Sequence, residues 1–101
     1  MKNENIVSRK IGLNKGKRRI WLEGAVLSNA GFNHGDRFNV YHGKNVLEIV
    51  WDLHGKRKIA GKPGRPIIDM SAGTIDASFA ADIVRVEIDS KQLKLSLYGK
   101  K

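Results

Sequence analysis

The residues best placed to do chemistry in this chain are its cations, and the chemistry they suit is the binding of negatively charged groups. From Ser8 to Arg19 the sequence carries Arg9, Lys10, Lys15, Lys17, Arg18 and Arg19 with no acid among them. From His54 to Pro66 it carries Lys56, Arg57, Lys58, Lys62 and Arg65, again with no acid. The remaining Lys and Arg are outnumbered by the 10 acids, so the whole net charge of +9 originates in two short segments. A surface built only for solubility intersperses both signs. Two acid-free clusters read instead as an electrostatic footprint for phosphate groups. Arginine offers a planar fork that bonds two acceptors at once, and lysine offers a point charge. Gly16, Gly61 and Gly64 stand beside these cations and let backbone N–H groups come close to an anion.

Other chemistries find no motif. His34, His42 and His54 do not have metal-ligand spacing, and a loop histidine is the plain reading of His34. Ser28, Ser71 and Ser78 have no recognisable nucleophile motif around them. There is neither a phosphate-binding loop signature nor a dinucleotide fingerprint. With 0 Cys, disulfides, thiolate metal sites and cysteine nucleophiles are excluded. The expectation is a binding protein with no catalytic residues, no metal and no cofactor. Asp36, after His34-Gly35, is expected to close a turn through its side chain.

The elements that must position the cations are short strands, because apolar alternation and frequent Gly dominate the chain. Ile11 and Leu13 alternate, Asn14-Lys15-Gly16-Lys17 reads as a turn, and Ile20 and Leu22 alternate with Trp21 on the opposite side. A short helix is expected from Gly24 to Ala30, with Gly31 suited to its C-terminal cap. Strands around Phe38–Val40 and Val46–Leu53 form a hairpin about Gly43-Lys44-Asn45. The order then recurs. A strand is expected at Lys58–Ala60, a turn at Gly61-Lys62-Pro63-Gly64, and a strand at Ile67-Ile68. A helix follows from Ala72 to Ala77 with Ser71 as N-cap. A second hairpin joins Ile83–Asp89 to Gln92–Tyr98 about Ser90-Lys91. Trp21, Phe32, Phe38 and Phe79 are expected in the core. Trp51 and Tyr98 are the aromatics left partly exposed; such rings can stack on single-stranded bases, but a structural role is the preferred reading for both.

The two halves align. At an offset of 47, Lys15 matches Lys62, Arg18 matches Arg65, Ile20 matches Ile67, Trp21 matches Ile68, Ala30 matches Ala77 and Phe32 matches Phe79. At 46, Phe38 matches Val84, Val40 matches Val86, Leu47 matches Leu93 and Ile49 matches Leu95. The reading is one domain, 1–101, with pseudo-repeats at 9–53 and 56–98 and flexible ends at 1–6 and 99–101. Two units that cannot each bury an apolar face complete one core together.

Residues 16–52 carry a recognisable pattern. A basic strand (Lys17-Arg18-Arg19-Ile20-Trp21-Leu22) leads into Ala30-Gly31-Phe32, then Gly35-Asp36, then a hairpin containing Asn45-Val46-Leu47-Glu48-Ile49. This resembles the AbrB/MazE/SymE superfamily, and its SymE-like branch most. It departs at Glu23-Gly24, where the family often has Pro. The resemblance implies a mainly β fold with short helices, a swapped-hairpin barrel built from two pseudo-symmetric ββαββ repeats, here joined in one chain. It implies DNA binding by basic residues near the first strand pair of each unit. The candidate contacts are Lys10, Lys15, Lys17, Arg18, Arg19, Lys56, Arg57, Lys58, Lys62 and Arg65, with Arg18, Arg19 and Arg65 expected to be the strongest. If the repeats are symmetry-related, the two basic turns are expected to form one continuous face.

The function expected from this is a DNA-binding transcriptional regulator or antitoxin-like protein of a bacterial mobile element, with DNA favoured over RNA. One alternative is a SymE-like toxin acting on RNA or bulk nucleic acid. A second is a small inhibitor that binds an acidic protein. The polar N-terminus, Met1 to Arg9, has no signal-peptide core, and no apolar run approaches a membrane span. A cytoplasmic, nucleoid-associated protein with no membrane partner is therefore expected. It would be a monomer with an internal pseudo-dimer, or a homodimer.

Overall fold

Alternating apolar residues and tight Gly turns produce a chain that is mainly strand. The computed structural model describes residues 5–76 and 79–100. Among the described residues the order is β1 (Ile6–Lys10), β2 (Gly12–Asn14), β3 (Lys17–Glu23), α1 (Ala25–Ser28), β4 (Arg37–Gly43), β5 (Val46–Trp51), β6 (Arg57–Lys58), β7 (Ala60–Lys62), β8 (Arg65–Met70), α2 (Ala72–Asp76), β9 (Ile83–Asp89) and β10 (Lys94–Lys100). The strands form two antiparallel sheets, one ordered β1-β9-β10-β5-β4-β6 and one ordered β2-β3-β8-β7. The expected barrel is corrected: the sheets do not close on one another. They share a single core, to which Ile20, Leu22, Ile68 and Met70 contribute from the small sheet and Leu47, Ile49, Val84, Val86, Leu95 and Leu97 from the large one. Phe32, Phe38 and Phe79 are buried in it as expected. Among the described residues, no helix is long and apolar enough to cross a membrane.

The two halves pair in the same way. β2 folds onto β3 as β7 folds onto β8, and β4 onto β5 as β9 onto β10. Each hairpin is edged by a strand from the other half: β1 pairs with β9, and β6 pairs with β4. The same backbone bond recurs at the crossing points. The Ile11 N–H donates to the Asp82 carbonyl at 2.7 Å, and the Ile59 N–H to the Asp36 carbonyl at 2.8 Å.

Burial corrects the alignment of the halves. Ile20 corresponds to Ile68, Leu22 to Met70 and Leu27 to Ile75, all buried, which is one residue further on than the offset of 47 read from the sequence. Trp21 therefore corresponds to Asp69, its direct partner across β3 and β8, and not to Ile68. In the second hairpin Leu47 corresponds to Leu95 and Ile49 to Leu97, not to Leu93 and Leu95. The cause is turn length. Lys44-Asn45 alone joins β4 to β5, whereas Ser90 to Leu93 join β9 to β10. At β3 and β8, where the shift is one residue, a side-chain period of two makes it consequential, since a one-residue slip moves a strand's apolar set to its other face.

Two of the expected flexible ends are partly strand. Ile6 opens β1 opposite Glu87, and Gly99 and Lys100 end β10 opposite Val84 and Ile83. Residues 1–4 and 101 lie outside the described residues, as does Ala77, the expected end of the second helix. The first helix is shorter than expected. Gly31, at φ 88, turns the chain out of it, and the Phe32 N–H returns to the Leu27 carbonyl at 2.9 Å. Asp36 closes its turn as expected, accepting from the Asn33 N–H at 2.9 Å.

Candidate nucleic-acid interface

Two short hairpins carry the cations of the small sheet. Lys15 and Gly16 connect β2 to β3 with φ of 55 and 79, the doubly positive geometry of a two-residue turn whose twist suits flanking strands. Pro63 and Gly64 connect β7 to β8, with Gly64 at φ 82. Lys15, Lys17, Lys62 and Arg65 are exposed around these two bends.

The bends do not merge. β3 and β8 run antiparallel, with Ile20 opposite Met70 and Glu23 opposite Ile67. Each bend precedes its own strand, so the two stand at opposite ends of the sheet. The separation is roughly ten residue steps of about 3.3 Å, on the order of 30 Å, in a molecule whose longest extent is 34 Å. The expectation of one continuous basic patch is corrected to two cationic ends of one sheet.

Between those ends lies a solvent-facing surface set by strand alternation. Ile20 and Leu22 on β3 and Ile68 and Met70 on β8 point into the core. The residues between them point out: Lys17, Arg19, Trp21 and Glu23 on β3, and Arg65, Ile67 and Asp69 on β8. Arg19 makes a two-pronged bridge to Asp69, Nε to Oδ1 at 2.8 Å and Nη2 to Oδ2 at 3.0 Å. Its guanidinium also lies over the Trp21 ring, 4.5 Å from the centroid. The hydrogen bond to Asp69 lifts Arg19 above its ordinary pKa. Arg65 reaches across to Glu23, Nε to Oε2 at 3.2 Å.

Arg18 makes contacts that its position in the basic cluster did not suggest. It is part-buried, and its guanidinium donates to the carbonyls of Phe79 (2.8 Å) and Ala81. It ties β3 to the chain beyond α2. Of the three arginines expected to lead binding, Arg18 is bonded to two backbone carbonyls, and Arg19 and Arg65 are each partnered by a carboxylate of the chain itself.

The other expected cations lie away from this face. Lys10 ends β1, at the edge of the large sheet, opposite Ile83. Lys56 precedes β6, and its backbone N–H donates to Asn39 Oδ1 at 3.0 Å. Arg57 donates to Thr74 Oγ1 at 3.0 Å, and Lys58 pairs with Arg37 across β6 and β4. The structure gathers Lys17, Arg19, Lys62 and Arg65 on the small sheet. It leaves Lys10 and Lys56 to Lys58 at the opposite edges of the large one.

Sequence reasoning missed Trp21 as a surface residue. It is 41% exposed, the outward residue at the middle of β3, and not a core aromatic. The signal was present: Trp21 alternates with Ile20 and Leu22, and the misplaced repeat offset hid its counterpart, Asp69. Trp51 and Tyr98 are half-buried, as expected, Trp51 packing one side against the core. No known protein family, no curated protein and no solved structure matches the chain.

Proposed function

We propose that this chain is a nucleic-acid-binding protein of the regulator type, with DNA as its favoured partner. The observation that carries the reading is the pair of exposed cationic turns held at the two ends of one solvent-facing sheet. A polyanion laid along that face meets positive charge at both ends, on the order of 30 Å apart. Such a span suits recurrent phosphate contacts, since one turn of duplex measures about 34 Å. The exchange of edge strands between halves supports the finer reading of the fold. It is the pairing expected of two swapped-hairpin units of the AbrB/MazE/SymE kind fused in one polypeptide, a pseudo-dimer within a monomer.

Phosphate contacts position a nucleic acid, and base contacts specify its sequence. The cations of the two turns do the former. Binding of duplex DNA, single strands and RNA measured across a salt series tests the proposal. Affinity is expected to fall steeply as salt rises, because cations that meet phosphates release condensed counterions. An affinity independent of salt, or no binding at low salt, overturns it.

A further inference from the structure

We infer that the outer face of the four-stranded sheet stacks an unpaired base of a single-stranded nucleic acid on the Trp21–Arg19 pair, between phosphates held by the two basic turns. This rests on the nucleic-acid-binding reading and adds strandedness to it.

Three observations converge on that face. Trp21 stands outward at the centre of the sheet with 41% of its surface open. Single exposed apolar residues are ordinary on protein surfaces, so exposure alone decides nothing. The second observation is the neighbour: Arg19 lies over the indole at 4.5 Å and is fixed there by two bonds to Asp69. A guanidinium plane and an indole ring held together form a pre-set stacking surface, and both groups stack on bases. The third is charge. Lys17, Lys62 and Arg65 flank the pair on the small sheet, so a base on Trp21 has cations for the phosphates on either side of it. The large sheet carries a comparable pair, Arg85 over the Tyr98 ring at 5.1 Å with Arg85 bridged to Glu87, but there the ring is half-buried whereas Trp21 is exposed.

The geometry also selects strandedness. In a duplex each base hides both faces against its neighbours, and exposing one costs a few kcal/mol of unstacking. In a single strand the faces are available, and stacking on an aromatic side chain tolerates any base because every base has a π-face.

The test uses the full chain carrying Trp51→Phe, which leaves Trp21 as the sole indole reporter, titrated at low salt with a short oligothymidylate and with a duplex of equal length. The expected result is saturable quenching of Trp21 emission by the single strand and little by the duplex. Trp21→Ala is expected to weaken oligothymidylate binding roughly tenfold, within the range that stacking of one base supplies, while leaving duplex binding within about twofold. Trp21→Phe, which keeps a π-face, is expected to recover much of the loss. Both probes binding with Trp21 emission unchanged, or Trp21→Ala binding the single strand like the parent, overturns the inference and leaves the wider reading standing. No binding of either probe overturns both.

Discussion

Replacing Arg18 with alanine is expected to damage stability and spare binding, the reverse of what its place in a run of cations suggests. The part-buried guanidinium donates to two backbone carbonyls, those of Phe79 and Ala81, more than sixty residues away in the chain. A hydrogen bond to a charged group contributes about 1.5–3 kcal/mol. The truncation removes two, and water entering the vacated space recovers part of the loss, so the expected cost is about 2–4 kcal/mol. For a domain of this size each kcal/mol lowers the melting temperature by roughly 4–8 °C, giving a drop on the order of 10 °C or more. Urea denaturation reports the same quantity as a lower midpoint with an unchanged m value, the mark of altered stability without altered compactness. Lys17→Ala, one residue away and exposed, provides the comparison and is expected to shift stability by no more than about 0.5 kcal/mol. Folded Arg18→Ala protein is expected to bind duplex DNA within about twofold of the parent. Unchanged stability together with a large loss of affinity would show that Arg18 faces the ligand, and the assignment of β3's two faces would fall with it.

Other outcomes follow from the same geometry. Leu95→Ala is expected to cost about 2–5 kcal/mol, as Leu47→Ala does, because both side chains are fully buried. Leu93→Ala is expected to cost clearly less, and equal losses at Leu93 and Leu95 in chemical denaturation would count against the corrected alignment of the hairpins. Gly55→Ala would place a Cβ 2.6 Å from the backbone N, C and O of Phe38, where nothing can yield. A loss of about 3 kcal/mol is expected from overpacking of this kind, read as a lower thermal midpoint. Asp69→Asn releases the Arg19 fork and removes a negative charge from the outer face. Affinity for nucleic acid should rise several-fold at low salt and the gain should shrink at high salt, while stability changes by less than about 1 kcal/mol, as for exposed pairs generally. Because Arg18 is engaged elsewhere and Arg19 and Arg65 are partnered, Lys15, Lys17 and Lys62 are left to make about three phosphate contacts. That gives a slope of log affinity against log salt of about −2.7 for duplex DNA, roughly a 40-fold loss between 50 and 200 mM; a slope of about −6 would mean that the edge cations of the large sheet also take part.

Much of the fold was legible in the sequence because strand period and turn chemistry are local. Alternation marked both hairpins, Lys15-Gly16 and Pro63-Gly64 marked the bends, and Gly31 marked the exit from the first helix. The repetition of order between halves was legible for the same reason. Local patterns did not reveal β1: Ile6 and Val7 are adjacent and give no alternation, and what marks the strand is its pairing with β9.

What the sequence by itself determined is where the charge excess lies, which residue types carry it, and that short strands in two similar halves present it. Those properties follow from composition, from a period of two and from turns that require Gly, none of which depends on distant contacts. Only the tertiary structure decided what the cations do. The antiparallel pairing of β3 with β8 sent the two basic bends to opposite ends of one sheet. Strand parity turned Arg18 inward onto carbonyls some sixty residues away, while Arg19, its immediate neighbour, was turned outward to Asp69 and Trp21. Register between distant strands chooses the face each side chain occupies, and no run of neighbouring residues contains that choice.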